Sequence, residues 1–303
     1  MPDTPSSPSS ETPSVSIVFT RYNESDTYVI ENLIALAGQK GVSGEILFLD
    51  QADSTGIEGF INRYDFSPFQ MRRLDCPQKG LSFARNLGIE KANHDIVIFI
   101  DTDAVAAPDW AQWLADALLQ GEADGVAVAG GKILLRWPHQ PFWLANAKPV
   151  ADIYGHFDLG DDRQQVGLVR GGSLAINRRL TPRLEDGSCF DLSYGRIDGK
   201  LVSGEESELC LRTVKSGFKV VYDGRSIMEH QVQPDRLSWI WVWRRLYHGG
   251  WGRARLGGLP GVGSKRKLSQ YLYFPFIVPP YALGYFAGKW ADMKSGRQKG
   301  QHE

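Results

Sequence analysis

Between residues 15 and 129 short apolar runs alternate with amphipathic stretches, and this alternation limits the possible folds more than any other feature of the chain. The runs at 15–19, 45–50, 71–74, 95–100 and 125–129 are rich in Val, Ile, Leu and Phe and read as strands buried on both faces. Helical spacing occupies 26–40, a short segment reaching about Tyr64, then 81–92 and 109–120. Strands and helices in turn predict an α/β fold, with a mostly parallel sheet covered by helices and right-handed crossovers. Such sheets bind ligands outside the carboxyl ends of their strands. Residues just after each apolar run are therefore the place to look for chemistry.

The fourth run ends in Asp101-Thr102-Asp103. Two carboxylates held this close repel each other unless a cation neutralises them, which suits a hard divalent ion carrying a diphosphate. The competing reading is a surface pair that caps the helix near Pro108. Past Gly130 the pattern loosens through Trp137, Pro138, Pro141, Trp143 and Pro149, a candidate acceptor-side region. A strand with paired glycines is expected at 167–177, where backbone can approach a ligand closely. A helix with an acidic first turn follows at 203–216, closed by Gly217, and a final short strand at 219–222.

At 303 residues, 42% hydrophobic, the chain can bury the core of one large domain with an appendage. Residues 1–13 are Pro/Ser-rich with no apolar core segment, so a disordered tail is expected there rather than a signal peptide. Cys76, Cys189 and Cys210 are widely spaced without metal-ligand pattern, which points to a reducing, cytoplasmic-side location. The net charge of −1 hides an asymmetry: from Arg236 onward twelve Lys and Arg face two acidic residues. That basic stretch surrounds the aromatic run at 271–290, which Pro275, Pro279 and Pro280 interrupt. Peripheral docking on an anionic membrane is expected of 236–303 rather than a spanning helix; packing on the domain is the other reading. No nucleic-acid module accompanies the charge, so no nucleic-acid partner is expected.

Taken in order, six segments resemble the family 2 glycosyltransferases, which use nucleotide sugars and have a GT-A fold. They are Phe19-Thr20-Arg21-Tyr22-Asn23-Glu24, the stretch from Leu49-Asp50 to Thr55, Gly80-Leu-Ser-Phe-Ala-Arg-Asn-Leu-Gly88, Asp101-Thr-Asp103, Gly171-Gly-Ser173 and Gly204-Glu-Glu-Ser-Glu-Leu209. The resemblance implies a GT-A domain over 14–235 and an inverting transfer of sugar from a nucleoside diphosphate, expected to be UDP, to a glycan or lipid-linked hydroxyl in envelope or exopolysaccharide synthesis. It implies that Thr20, Tyr22, Glu24 and Asp50 line the base and ribose pocket. Asp101 would reach ribose or metal, and Asp103 would ligate Mg²⁺ or Mn²⁺. Arg85 would pair with diphosphate, or bridge to Asp101 or Asp103 as a structural ion pair. His230 would supply a third metal ligand, or stay hydrogen-bonded within the sheet. Gly171, Gly172 and Ser173 would lie on the acceptor and donor-sugar side.

By the same resemblance Glu206 stands where the family has its general base, with Glu205 just before it. Ser203-x-x-Glu206 also spells a capping box, which would occupy Glu206 and leave Glu205 as base. The basic and aromatic residues Arg244, Arg245, Trp251 and Arg253 read either as a lid over the diphosphate or as a membrane-facing surface. No Gln-x-x-Arg-Trp motif of processive synthases is present, so addition of one or a few sugars is expected. Two rival readings are a non-catalytic nucleotide-sugar or glycan-binding relative and a sugar-1-phosphate nucleotidyltransferase. The second lacks its Gly-rich, Arg-containing signature.

Overall fold

The computed structural model describes residues 12–52, 56–139, 151–194, 204–256 and 274–294. The tail at 1–11, residues 53–55 of the second motif, 140–150 of the acceptor-side region, Ser203 and residues 271–273 lie outside the described residues.

Among the described residues nine strands form one sheet. β1 (Ser14–Arg21), β2 (Ser43–Asp50), β3 (Phe69–Asp75) and β4 (Ile96–Asp101) run parallel in the order β3-β2-β1-β4. Beyond β4 the sheet becomes mixed. β8 (Ser173–Asn177) is antiparallel to both β4 and β6 (Val126–Arg136), and β6 runs parallel to the long β9 (Lys219–Gln231). The short strands β5 (Ala104–Ala106) and β7 (Arg163–Val166) each pair antiparallel with β9.

The helices explain why β1, β2 and β4 are buried almost throughout. α1 (Asp26–Ala37) turns Val29, Leu33 and Leu36 onto the core, and its buried Asn32 donates from Nδ2 to the Asp101 carbonyl at 2.9 Å. After the short α2 (Gly56–Ile61), α3 (Leu81–Lys91) packs on β1 so closely that a Cβ on Gly88 would lie 2.5 Å from Val18 Cγ1. In the same helix Asn86 donates to the Phe190 carbonyl at 2.8 Å and accepts from the Cys189 and Phe190 amides, pinning a distant loop. α4 (Trp110–Gln120) buries Trp110, whose Nε1 donates to Ser173 Oγ at 2.8 Å. α5 (Glu205–Lys215) starts at Gly204, whose φ of +128° favours glycine. With Gly204 as N-cap, Glu206 sits at the second helical position, not the third, which removes the geometry of a capping box.

Two expected elements differ. The strand foreseen at 167–177 forms only from Ser173, as β8, while residues 167–172 are a loop in which Gly171 and Gly172 press against side chains of other elements. A Cβ there would lie 3.1 Å from the Arg85 guanidinium or 2.9 Å from Met228 Cε. The final strand runs on to Gln231, pairing along the full length of β6 across register shifts at Val126/Val128 and Gly131/Lys132.

The described residues of the basic extension include two helices, α6 (Trp239–Arg255), capped by Ser238 Oγ, and α7 (Phe274–Lys294). They lie parallel and in register, from the Trp239–Phe276 ring pair to Arg255–Asp292 at 3.5 Å. Glycines permit the contact: a Cβ on Gly284 would lie 1.9 Å from the Tyr247 carbonyl oxygen. The prolines expected to break the aromatic run sit inside α7 instead. Pro275 is in the first turn, where the N–H has no helical partner, and Pro279 and Pro280 each remove one bond without ending the helix. No helix of the described residues is long and apolar enough to cross a membrane.

Candidate active site

The carboxyl ends of β1 and β4 meet with Thr20 opposite Asp101, and a cavity of about 310 Å³ opens beside them. Its wall includes Thr20, Tyr22, Glu24, Arg85, Asp101, Asp103, Gly171, Gly172, Glu205, Glu206 and His230, so one space unites most of the residues singled out by sequence.

Asp103 is placed by the chain's turn from β4 into β5. Pairing of β5 with β9 sets Ala104 opposite His230, and the Gln231 amide donates to the Asp103 carbonyl at 2.7 Å. The imidazole Nε2 of His230 then lies 3.3 Å from Asp103 Oδ2, while its buried Nδ1 has no hydrogen-bond partner. His230, expected just past the last strand, is thus a residue of β9 itself. Arg236 approaches the same Oδ2 at 3.0 Å.

Arg85 is a hub. Its Nη2 donates to Asp101 Oδ1 at 3.2 Å and to the Gly171 carbonyl at 3.0 Å, and its Nη1 to Glu205 Oε1 at 3.2 Å. The guanidinium also lies 5.5 Å from the Phe190 ring centroid. Of the two sequence readings for this arginine, the structure forms the ion pair to Asp101, and Asp103 is paired with Arg236 instead.

The adjacent glutamates separate in role. Glu205 is buried and committed, accepting from Arg85 and from the Gly204 amide at 3.0 Å. Glu206 is half-buried at the cavity wall. Desolvation first, then the Glu205 carboxylate, push its carboxyl up to about 7, against the opposing pull of Arg170 and Arg85.

Two expected residues stay out of the lining. Asp50 is buried behind the wall, 3.8 Å from Arg21 Nη1 and 3.4 Å from Arg73 Nη2, and accepts from the Ala52 amide. Ser173 is buried beneath the glycine pair, held by Trp110. Sequence reasoning missed Arg21, Asp152, Tyr154, Arg170, Arg236 and Trp241 as lining residues. For Arg170 the adjacent glycine pair was a usable signal. Arg236 carried none, because its approach to Asp103 depends on the turn Pro234–Arg236 after β9. Arg245 of α6 reaches the cavity and Arg244 is exposed, so that helix serves both as site wall and as outer surface. Side chains from both sides of residue 235 build the site.

Among the described residues no three His, Cys, Asp or Glu side chains gather into a protein-only metal cage. The donors present still fit a divalent ion that arrives with phosphate. Asp103 and His230 face each other, Asp101 stands at the same strand end, and such ions commonly complete their shell with phosphate oxygens and water. An imidazole among the donors suits Mn²⁺ better than Mg²⁺.

The sheet order, the strand-end carboxylates and the cavity together define a GT-A glycosyltransferase scaffold. The chain belongs to glycosyl transferase family 2, whose model matches residues 16–179. It is 29% identical over 197 residues to the glucosyl-dolichyl phosphate glucuronosyltransferase of Haloferax volcanii, covering 61% of this chain and 59% of that one. It is 24% identical over 192 residues to the succinoglycan biosynthesis protein ExoM of Rhizobium meliloti, covering 62% and 57%. The matched segment therefore spans just under three-fifths of each relative. Among solved structures, the fold is shared with the mannosyltransferase PcManGT of Pyrobaculum calidifontis in complex with GDP-Man and Mn²⁺. That match has a TM-score of 0.55 at 18% identity, over 95% of this chain and 80% of that one. GalNAc-T7 with UDP, GalNAc and Mn²⁺ follows, with a TM-score of 0.53 at 13% identity over 94% and 58%.

Proposed function

We propose that this chain transfers a sugar from a nucleoside diphosphate to a hydroxyl of a glycan or lipid-linked acceptor, with inversion at the anomeric carbon. One observation carries the reading: a single cavity gathers two strand-end carboxylates, an imidazole and Glu206, whose carboxyl is pushed up by burial and by the neighbouring Glu205. A carboxyl near the working pH is suited to accept a proton and release it again. Glu206 takes the acceptor hydroxyl's proton, the oxygen attacks the anomeric carbon opposite the diphosphate, and the bond to the diphosphate breaks. When bound, Mg²⁺ or Mn²⁺ supplies Lewis-acid stabilisation of the leaving charge. Asp103 and His230 would hold it, with Asp101 beside them. Arg85 orients Asp101 and Glu205, while Thr20, Tyr22 and Glu24 face the nucleotide. Asp50 positions Arg21 from behind the wall instead of meeting the base. Gly171 and Gly172 leave room for the sugar, with Ser173 supporting them from below.

The named relatives act on a dolichyl phosphate sugar and in succinoglycan biosynthesis, which supports a lipid-linked or polysaccharide acceptor. The extension adds a second element to the reading. Exposed Ile240, Trp243, Leu283, Phe286 and Trp290 on α6 and α7, within a strongly basic sequence, form a surface for an anionic membrane on the same helix pair whose Trp241 and Arg245 line the cavity.

The test is a calorimetric screen of UDP-, GDP- and dTDP-sugars with Mn²⁺ or Mg²⁺, using D103A as control, then turnover with candidate acceptors and NMR of the product. Metal-dependent binding of one donor, lost in D103A, and an inverted product are expected. A UDP-linked donor is the expected one. Retained anomeric configuration overturns the mechanism, and binding of donor without turnover on any acceptor favours the non-catalytic reading.

A further inference from the structure

Asp103 Oδ2 already has a cation beside it, supplied by the chain. Arg236 Nη1 lies 3.0 Å from that oxygen, and both side chains are at least nine-tenths buried. The Arg236 main chain is anchored: its carbonyl accepts from Tyr154 Oη at 2.9 Å, and the Tyr154 ring stacks on Trp241 at 4.9 Å between centroids. Arg236 also lines the cavity and sits two residues before the Ser238 cap of α6. The oxygen that a divalent ion would need is thus paired with a buried positive charge.

We propose that Arg236 is a built-in counter-cation for the metal-ligating carboxylate. It pairs with Asp103 until a divalent ion and a nucleoside diphosphate enter together, and then turns its charge to the diphosphate. This inference rests on the reading of Asp103 as a metal ligand. A like charge beside the ligand weakens binding of the ion alone. A buried carboxylate left without any cation would be costly, so the guanidinium also compensates Asp103 until the ion arrives. A planar fork that can leave a carboxylate for a diphosphate is a property of arginine. Arg236 therefore ties loading of the ion to loading of the nucleotide.

The experiment titrates Mn²⁺ alone into the full chain, into R236Q and into D103A, following the free-ion EPR signal and heat. UDP and GDP are then titrated at saturating Mn²⁺. The expected result is opposite in sign at the two steps: R236Q binds Mn²⁺ alone about tenfold more tightly and its nucleotide about tenfold more weakly. A merely structural ion pair would weaken both. Mn²⁺ binding lost in D103A but unchanged or weakened in R236Q overturns this inference alone. Wild-type Mn²⁺ binding in D103A overturns the metal-site reading and this inference with it. As a measurement that needs no variant to fold, arginine side-chain NMR of the unmodified chain with Mg²⁺ and each nucleotide should shift the Arg236 guanidinium resonance. A resonance that stays in place overturns the exchange.

Discussion

Glu205 and Glu206 are chemically identical neighbours, and only their surroundings divide the work. Because Arg85 holds Glu205, substitution there should act on stability, whereas E206Q should lower kcat about 10²-fold or more and leave metal and nucleotide affinity unchanged. Glu206 must be ionised to accept a proton, and its carboxyl is raised to about 7, so kcat should rise with pH through that region and fall below it. A pH–rate profile of the wild type that is flat between pH 6 and 8 would count against Glu206 as base. A second carboxylate, far from the site, shows the opposite shift. Burial alone would raise Glu45, but the Asn93 amide at 2.6 Å, Ser16 Oγ at 2.7 Å and Arg72 together hold it below its ordinary value of 4.5. A depressed carboxyl contributes stability above its unfolded-state value and loses it as pH falls through the folded one. Denaturant melts should therefore show E45Q about 2 kcal/mol less stable at pH 7, with the gap to wild type closing below about pH 4.5.

At the scale of elements, the helix α3 shows why a motif can be read before its reasons are known. In Gly80-Leu-Ser-Phe-Ala-Arg-Asn-Leu-Gly88, Arg85 reaches the two acidic ends of the site, Asn86 pins Cys189 and Phe190, and Gly88 lets the helix settle on Val18. Adding one methyl in G88A should cost about 1–3 kcal/mol through overpacking, since its Cβ meets a branched side chain in a full core. V18A should return part of that loss, and a double-mutant cycle by thermal or denaturant unfolding checks the coupling. If G88A is neutral, the close approach of α3 to β1 is not what the glycine serves. Helix α5 makes a related point. Its acidic first turn was visible in sequence, yet the choice of Gly204 as cap, which places Glu206 at the wall, was not.

Across the whole molecule, the parallel pair α6 and α7 joins the site to the outer surface. Trp241 and Arg245 point to the cavity, while Trp243, Phe286 and Trp290 are exposed, Phe286 to 70%. Replacing those three aromatics by Ser should reduce sedimentation with phosphatidylserine vesicles by about tenfold and leave turnover of a water-soluble acceptor unchanged. Equal vesicle binding by this variant would show that the aromatic face does not dock. The parallel half of the sheet, the strand-end position of Asp101 and Asp103 and the acidic start of α5 were legible because each is local: an apolar period, a run's end, a composition over one turn. Pro279 and Pro280 stay inside α7 because proline weakens a helix without always ending it, and here α6 packs along the helix that contains them. The sequence by itself determined the family, the alternation of strand and helix, and most of the residues that would meet in one place. Tertiary structure alone decided which of them are spoken for. The β5–β9 pairing sets His230 against Asp103, a turn after β9 brings Arg236 to the same oxygen, and Arg85 binds Glu205 so that Glu206 is left at the wall. These are contacts between residues 120 to 133 positions apart, and no local period in a chain encodes a distance of that kind.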